Sequence, residues 1–215
     1  MHLKRQEAPK NWSIFRKGTK YVVRPRGFDV ERGVPLLFVL RDMLNVVQNR
    51  KEAKRAVHLR NILHNNSPVS DETNSVVLFD TLSIVPEKKH YRMELSLGGK
   101  FVLKEISEKE SNSKVVKIIN KKTIKGKKVQ LNLMDGRNFL SSIKCKNSDS
   151  VIVNFKDKKV EKCIPLEDKS TVFIFSGKHA GKSGKIKSIG KDGFAELSIE
   201  GKDVSVLIKQ IMAIQ

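Results

Sequence analysis

Apolar residues recur at helical spacing in one part of the chain, over residues 34–59. In "VPLLFVLRDMLNVVQ" the apolar side chains repeat on one side of a helix, and Pro35 suits a first helical turn. We therefore predict a core-packing helix over 34–48. The next stretch, "RKEAKRAVHL", predicts a second, shorter helix with small apolar residues on one face and cations on another.

After residue 60 the pattern changes to short apolar runs separated by turn residues. "NILHNNSPVSD" predicts two brief strands around Asn65 and Asn66, because asparagine tolerates the left-handed conformation of a tight hairpin. "SVVLFDTLSIV" predicts a further strand pair. Strand-like runs then follow one another between residues 90 and 165, as "YRMELSL", "FVLKEI", "VVKIIN", "VQLNLM" and "SVIVNF". The last segment predicts strands at 171–175, 184–189, 193–199 and 203–208.

These elements predict an α+β, mainly β, multi-domain fold. The chain has 215 residues, of which 39% are hydrophobic, so it can bury several small cores. We predict a basic N-terminal extension over 1–33, a small α/β domain over 34–88, a central β barrel or sandwich over 89–167, and a small C-terminal β barrel over 168–215.

Charge identifies the expected partner class. The chain carries 43 Lys and Arg against 23 Asp and Glu, a formal net charge of +20. Self-repulsion of this size in a compact protein favours a polyanionic partner, with nucleic acid first and an anionic membrane surface second. The longest apolar run, "VPLLFVL", is too short to cross a membrane, and no apolar stretch follows the basic N-terminus as in a signal peptide. We expect a cytosolic protein without a membrane partner.

The N-terminal extension combines cations with aromatic rings. Residues 1–33 hold nine Lys and Arg against three acids, together with four spaced aromatic residues that end at Phe28. Cations that meet phosphates and rings that stack or fill grooves suit an arm lying on RNA. Alternatively, Trp12 and Phe15 fasten the arm to the following domain. The RNA contacts predicted in this arm are Lys4, Arg5, Lys10, Trp12, Arg16, Lys17, Arg24 and Arg26.

Two further groups of cations are predicted RNA contacts. The second helix places Lys51, Lys54, Arg55 and His58 on its polar face. Seven lysines and no acid lie between Lys114 and Lys128, which favours a nucleic-acid contact over a merely solvated loop. The contacts predicted there are Lys121, Lys122 and Lys125.

The segment "SGKHAGKSGK", residues 176–185, resembles a phosphate-binding loop without meeting its requirements. A Walker A loop needs four residues between its first glycine and Gly-Lys-Ser/Thr, and a helix afterwards. Three residues separate Gly177 from Gly181, and the following residues alternate like a strand. The segment instead resembles the KOW motif, a basic glycine loop between two strands of an SH3-like barrel. Its glycines leave the backbone bare for approach to phosphate or protein. We predict RNA contacts at Lys178, Lys182 and Lys185.

Catalytic chemistry and cofactor binding are not indicated. "MDGRN" contains a Gly-Arg pair used by RNA pseudouridine synthases, but its acid comes first, and Asp135-Gly136 suits a two-residue hairpin turn. The histidines are scattered without a partner for nucleophilic or general-base catalysis. Cys145 and Cys163 lack zinc spacing, so we expect buried or half-buried reduced thiols.

Four features in order carry a family resemblance: "HLKRQEAPKNW", the helix "VPLLFVLRDML" with "EAKRA", the "LMDGR" turn, and the KOW segment. Together they resemble the S4e family of small-subunit ribosomal proteins of archaea and eukaryotes over nearly the entire chain. Asn65-Asn66 departs from the more usual Asp-Gly turn.

The resemblance implies a structural protein without enzymatic activity. It implies partners in small-subunit ribosomal RNA and neighbouring ribosomal proteins, with no small-molecule substrate and no cofactor. It also implies an S4-type RNA-binding domain after the extension, in which Arg41 joins the RNA-facing residues, and a location on cytoplasmic ribosomes, with nucleolar assembly in a eukaryote. The alternatives are a KOW-bearing transcription elongation factor and an RNA-modifying enzyme, although the residues between the modules lack the length and the acid for catalysis.

Overall fold

The computed structural model of the protein describes residues 2–27, 29–124, 128–190 and 192–214, so Phe28 and Lys125 lie outside the described residues. Within these ranges, contacts divide the chain into two compact units. Unit one comprises Met1–Glu94 and Lys100–Asn112, and unit two comprises Leu95–Gly99 and Ser113–Gln215. Strands dominate both units, which confirms a mainly β fold with several sheets. The finer division into four domains stays a prediction.

Unit one contains short strands and both α-helices. The strands are β1 (Leu3–Lys4), β2 (Tyr21–Val22), β3 (Gly33–Pro35), β4 (Ile62–His64), β5 (Ser67–Pro68), β6 (Ser75–Val77), β7 (Thr81–Ile84), β8 (Lys89–Leu95) and β9 (Phe101–Ile106). The helices are α1 (Leu36–Phe38), which continues as a π-helix over Val39–Met43, and α2 (Arg50–His58). Arg5–Glu7 and Glu110–Asn112 form 3-10 helices.

The first helix is shorter than its hydrophobic pattern predicts. Leu36 through Leu40 are all buried, so the first part of the helix is surrounded by core, and polar residues follow only at Arg41 and Asp42. Its backbone widens into a π-helix, in which the Leu44 amide donates to the Val39 carbonyl, and Asn45 follows with a left-handed φ of 54°. The helix therefore ends at Met43 and not at residue 48.

The second helix confirms its predicted position and amphipathic character. Asn49 caps α2, because its side-chain oxygen accepts a hydrogen bond from the Glu52 amide at 3.0 Å. Ala53 and Val57 are buried, and the predicted cationic face is exposed.

The strands of unit one form small antiparallel sheets. The largest has the order β5-β4-β7-β8-β9, while β3 pairs with β6 and β1 pairs with β2. The predicted hairpin between β4 and β5 is confirmed, with Asn65 and Asn66 at φ 50° and 59°. The prediction that "SVVLFDTLSIV" is a strand pair is wrong in one respect, since β6 and β7 join different sheets.

Unit two is built from longer strands. They are β10 (Ser113–Thr123), β11 (Val129–Leu133), β12 (Asn138–Ser141), β13 (Ser150–Asn154), β14 (Lys159–Ile164), β15 (Thr171–Ile174), β16 (Ser183–Ile189), β17 (Phe194–Ile199), β18 (Lys202–Leu207) and β19 (Ile211–Ala213). Ile208–Gln210 forms a 3-10 helix between the last two strands.

The first sheet of unit two depends on β10 changing its partner. The sheet has the order β12-β11-β10-β13-β14. The first part of β10 pairs with β13 and the second part with β11, with a bulge between Ile118 and Asn120. The β11–β12 hairpin closes over Met134, Asp135 and Gly136, so the predicted two-residue turn is corrected to three. Gly136 supplies the required φ of 78°.

The second sheet confirms the four strands predicted near the C-terminus and adds one. Its order is β18-β17-β16-β15-β19, around a core that includes Val172, Ile174 and Leu197. The strand β19 was missed because three buried residues after a 3-10 turn give too short a pattern to show a period. Across the described part of the chain, no helix is long and apolar enough to cross a membrane.

Candidate nucleic-acid interface

The N-terminal arm is folded into a closed loop by one arginine. Arg5 donates from Nε to the Thr19 carbonyl at 2.7 Å, from Nη1 to the Phe15 carbonyl at 2.9 Å, and from Nη2 to the Thr19 hydroxyl at 2.7 Å. Arg16 adds a bond to the Ala8 carbonyl at 3.0 Å. Arg5 therefore shapes the loop, and its role as a direct RNA contact stays a prediction.

The two rings of the arm that were considered for RNA stacking have different environments. Trp12 is 3% exposed and stacks on Phe38, with 6.0 Å between ring centroids. Phe15 is 88% exposed at the tip of the Arg5 loop. The alternative that the ring fastens the arm to the domain is therefore correct for Trp12, whose predicted RNA contact is withdrawn because its ring lies in the core. Phe15 stays available for stacking.

Two consecutive acidic residues, Asp71 and Glu72, form ion pairs with cations from separate parts of unit one. Asp71 lies 3.7 Å from Arg26 of the arm. Glu72, whose side chain is 4% exposed, lies 2.7 Å from Arg50 and 3.8 Å from Lys54 of α2. We call these five residues the cation hub. It joins the arm to the helix, so their cations belong to one continuous basic surface.

The backbone beside the hub also supports it. The Leu36 and Leu37 amides at the start of α1 donate to the Asn74 and Glu72 carbonyls, each at 2.8 Å. These bonds satisfy amides that a helix start leaves unpaired. A hydrogen bond with Glu72, followed by bonds from Thr73 and the charge of Arg26, lowers the pKa of Asp71 to about 2. Asp71 thus stays ionised and holds Arg26 at any physiological pH.

The exposed face of α2 continues the basic surface. Lys51, Arg55 and His58 are exposed and have no hydrogen bond or ion pair with a described residue. Lys54 forms an ion pair with Glu72, and Arg41 forms one with Asp42 at 2.8 Å. Arg50 was missed by the sequence reasoning, although its position four residues before Lys54 on the same helix face was a usable signal.

The lysine-rich segment of unit two is divided between interior and surface. Lys114 forms a buried ion pair with Asp135 at 3.3 Å, and Lys117 donates to the carbonyls of Ile208 and Ile211. Lys121 is exposed and donates to the Cys145 carbonyl, so its ammonium also serves the fold, and its RNA contact stays a prediction. Lys122 is exposed.

Burial changes the proton affinity of two groups in unit two. Loss of hydration lowers the pKa of Lys117 from 10.5 to about 8. Burial, aided by Cys145 and Asp149, raises the pKa of Cys163 to about 12. The two cysteines are free thiols, one buried and one partly buried, as the sequence predicted. A thiol with so high a pKa stays protonated and unreactive.

The KOW-like loop uses its glycines for packing inside unit two. A Cβ atom on Gly181 would lie 1.9 Å from the Ser96 carbonyl oxygen, and the Gly181 amide already donates to Ile174 at 2.8 Å. Of the two alternatives expected for these glycines, approach to phosphate or to protein, the structure has protein at Gly181, because Ser96 fills the space. Ser183 opens the strand β16, which confirms the predicted strand in place of the helix that follows a Walker A loop.

The cations of this loop remain accessible to different degrees. Lys178 and Lys185 are exposed, while Lys182 is half-buried and lies 3.4 Å from Glu200. Over the described ranges of both units, the predicted contacts that are exposed and have no side-chain partner are Lys4, Lys10, Lys17, Arg24, Lys51, Arg55, His58, Lys122, Lys178 and Lys185.

Comparison with known proteins gives consistent matches along the chain. A model of the ribosomal family S4e matches residues 87–160, and a model of the RS4NT (NUC023) domain matches residues 1–27. The chain is 38% identical over 190 residues to the small ribosomal subunit protein eS4 of Methanocella arvoryzae, which covers 87% of this chain and 80% of the relative. It is 34% identical over 193 residues to the protein of the same name from Nanoarchaeum equitans, which covers 88% and 82%.

A solved structure has a similar fold. The crystal structure of the 30S ribosomal protein S4e from Thermoplasma acidophilum matches with a TM-score of 0.72 and 24% identity, covering 85% of this chain and 95% of that one. At this identity the likeness concerns the fold. The two relatives point to the same family as the family models.

Proposed function

Because this chain belongs to ribosomal family S4e, we propose that it is a structural component of the small ribosomal subunit. It binds small-subunit ribosomal RNA and supports subunit assembly and translation, and it acts by binding rather than by catalysis. Its further partners are neighbouring small-subunit proteins. Its place is the cytoplasmic ribosome, with nucleolar assembly if the source is a eukaryote.

The observation that carries an RNA-binding role is the cation hub. Asp71 and Glu72 hold Arg26, Arg50 and Lys54 together, at the meeting point of the arm and α2. Three cations against two carboxylates leave positive charge at the hub, and Lys51 and Arg55 extend it. Cations held at fixed spacing neutralise phosphates and release condensed counterions, which supplies much of the affinity for RNA.

Phe15 gives the arm an additional means of binding. Its ring is 88% exposed, yet the loop that carries it is fixed by three hydrogen bonds of Arg5. A ring presented on an ordered loop loses little conformational freedom when it stacks on an unpaired base or fills a groove. The arm thus enters RNA through Phe15 while Arg16 and Lys17 lie beside phosphates.

The finer domain layout is part of the proposal. Residues 34–88 form an S4-type RNA-binding domain after the extension 1–33, residues 89–167 a central β domain, and residues 168–215 an SH3-like KOW barrel. The order β18-β17-β16-β15-β19, and an apolar core built mostly from the strands of this sheet, support the last assignment. Lys178 and Lys185 are then the exposed cations of the KOW module. Lys182 contributes to RNA binding while it stays paired with Glu200.

Reconstitution and co-sedimentation test this function. The full-length protein is mixed with small-subunit ribosomal RNA and the other small-subunit proteins, and the particles are separated on sucrose gradients at increasing salt. We expect one copy per particle, retained through moderate salt. Particles that form normally without the protein and never retain it would contradict a structural role, and preferential recovery with a transcription complex would favour the elongation-factor alternative.

A further inference from the structure

The outer side of the sheet formed by β10, β11 and β12 carries an unusual set of uncharged polar groups. Directly paired residues on neighbouring strands point to the same side of a sheet. Asn120 pairs with Asn132, and Asn132 pairs with Asn138. In the next outward row, Lys122 pairs with Gln130, and Gln130 pairs with Leu140. We call these six residues the amide face.

The direction of the amide face follows from the residues between its rows. Leu131 is buried in the core cluster of unit two, and Lys121, which pairs with it, donates inward to the Cys145 carbonyl. The bulge after Ile118 resets the register, so that Asn120 and Lys122 come to the outer side. A hydrogen bond of 3.0 Å from Gln130 Nε2 to Asn132 Oδ1 confirms that two amides share this side.

The face keeps unused hydrogen-bonding groups in water. Asn138 is exposed, and its side-chain amide has no hydrogen bond with any described residue. The Gln130–Asn132 bond leaves the Gln130 carbonyl oxygen and the Asn132 NH₂ group without a described partner. Leu140 is 59% exposed beside them and offers an apolar contact surface. Donors, acceptors and an apolar surface therefore occur together.

Charge indicates what occupies this face. Between Ser113 and Ser148 the sequence has ten Lys and Arg and a single acid, Asp135. That acid is buried against Lys114, so its charge is compensated inside the fold. We therefore expect the ligand of this face to be anionic overall, although the groups that it would contact on the face are mainly amides and not a cluster of cations.

We propose that the amide face binds unpaired RNA nucleotides. Side-chain amides combine donors and acceptors in the way that base edges do, and they pair with bases in two-bond contacts. Leu140 packs against a base, and Lys122 contacts the adjoining phosphate. Three strands span about 10 Å, which is enough for one or two bases. Paired bases in an RNA helix do not expose these edges to a flat sheet, so the ligand is single-stranded.

This proposal rests on the proposed RNA-binding function and adds a base preference to it. The test measures affinities of the full-length protein for 12-nucleotide U, A and C homopolymers and for a 12-base-pair RNA duplex, by fluorescence anisotropy at several salt concentrations. We expect the wild type to discriminate among the homopolymers by about tenfold, the size expected of one two-bond base contact. The double variant Gln130→Thr/Asn138→Thr loses that preference and keeps its salt dependence, because it loses no phosphate contact.

Two variants serve as controls. Gln48→Thr/Asn147→Thr changes the same residue types at exposed positions that are not among the six residues of the face, and it keeps the wild-type preference. Lys122→Gln weakens binding to every homopolymer alike and lowers the salt slope by about 0.7, the value for one phosphate of a single strand. Folding of each variant is checked by circular dichroism and by its unfolding midpoint. Should the double variant fold poorly, NMR shifts of the Asn138 and Gln130 NH₂ signals of the wild type on adding the preferred homopolymer replace it.

The outcomes separate the two proposals. A wild type that binds none of these RNAs contradicts the proposed function. A wild type that binds RNA without preference, a double variant that keeps the preference, or absent NMR shifts would each overturn the amide face and leave the proposed function standing. Tighter binding of the duplex, or the same NMR shifts with poly-glutamate, would also overturn it.

Discussion

Lys114 and Lys117 lie in a run of seven lysines, yet both are buried inside unit two. Lys114 compensates the charge of Asp135, and Lys117 donates to the carbonyls of Ile208, just before β19, and of Ile211, the first residue of β19. Trp12 and Phe15 form a similar contrast in the arm, where one ring is core and the other is surface. At the scale of the residue, burial decides whether a cation or a ring can meet RNA.

The two rings of the arm give a matched pair of substitutions. Phe15→Ala is expected to weaken binding to small-subunit ribosomal RNA by about 1–3 kcal/mol, the loss of one stacked base, without changing stability. Trp12→Ala is expected to lower the free energy of unfolding by about 3–5 kcal/mol, because it empties a core site. Denaturant titrations and RNA affinities at fixed salt measure both. Unchanged RNA affinity of Phe15→Ala would exclude stacking at this ring.

Lys117 predicts a specific dependence of stability on pH. Its pKa is about 8 in the folded protein against 10.5 otherwise, so the unfolded chain holds more protons between these values. The free energy of unfolding therefore rises with pH from about 8 to 10.5, by up to about 3 kcal/mol from this group. Below pH 8 the cost of the buried charge is fully present.

The comparison of wild type with Lys117→Met isolates this effect from other titrating groups. We expect the stability difference to move in favour of the wild type as the pH rises from 7 to 10.5, in denaturant titrations at each pH. The exposed control Lys162→Met follows the wild type throughout. Parallel pH profiles for Lys117→Met and wild type would show that the Lys117 pKa is not lowered.

At the scale of the element, α2 and the KOW-like loop show how local patterns combine with packing. α2 keeps its predicted amphipathic pattern, and its cap at Asn49 explains where it begins. Its polar face is nevertheless divided, because Lys54 is tied to Glu72 while Lys51 and Arg55 remain without a partner among the described residues. The KOW-like loop keeps its predicted position between two strands, but its glycines contact protein.

Because Lys54 is paired with Glu72, the charge reversal that best tests RNA binding by α2 changes only Lys51 and Arg55. Lys51→Glu/Arg55→Glu is expected to abolish incorporation into small subunits and to lower the salt slope by about 2, with the fold intact. Lys54 is left unchanged, because a glutamate there would face the buried Glu72 carboxylate and destabilise the domain. Lys104→Glu/Lys109→Glu makes the same charge change at other exposed sites of unit one. Equal incorporation of both variants would rule out a special role for α2.

Two glycines separate packing from backbone strain in the KOW-like module. Gly181 and Gly193 have similar φ values of 90° and 81°, but a Cβ atom meets backbone only at Gly181. Gly193→Ala is expected to cost about 1–2 kcal/mol of stability from its left-handed conformation. Gly181→Ala is expected to cost about 2 kcal/mol more, because the new methyl group overpacks against Ser96. Denaturant titrations compare them, and equal losses would mean that the loop moves freely away from Ser96.

At the scale of the whole molecule, a net charge of +20 acts in two opposite directions. The free protein repels itself, whereas the RNA complex gains from the same charges. Added salt is therefore expected to raise the melting temperature of the free protein and to weaken RNA binding, with a slope close to the number of phosphates contacted. Thermal melts and affinities over one salt series measure both. An RNA affinity that hardly changes with salt would contradict the electrostatic mechanism.

Local periodicity and composition determined much of this protein from the sequence alone. The second helix, most strands and the Asn65-Asn66 hairpin follow from patterns within about ten residues, a length over which spacing reflects backbone geometry. The basic character follows from composition, and the S4e family was indicated by the resemblance of four motifs in their order along the chain. The early end of the first helix, the separate partners of β6 and β7, and β19 did not follow, because they depend on contacts with distant segments.

The tertiary structure alone decided which of the cationic and polar side chains are exposed. Glu72 forms ion pairs with Arg50 and Lys54, and Asp135 forms a buried ion pair with Lys114. The strand register brings Asn120, Asn132 and Asn138 into one row. These groups come from strands and helices that are separated in the sequence. The number of cations in the sequence is the same whether their side chains lie inside the fold or on its surface. Burial and register, which are properties of packed elements, separate the lysines that hold the fold from those that stay exposed.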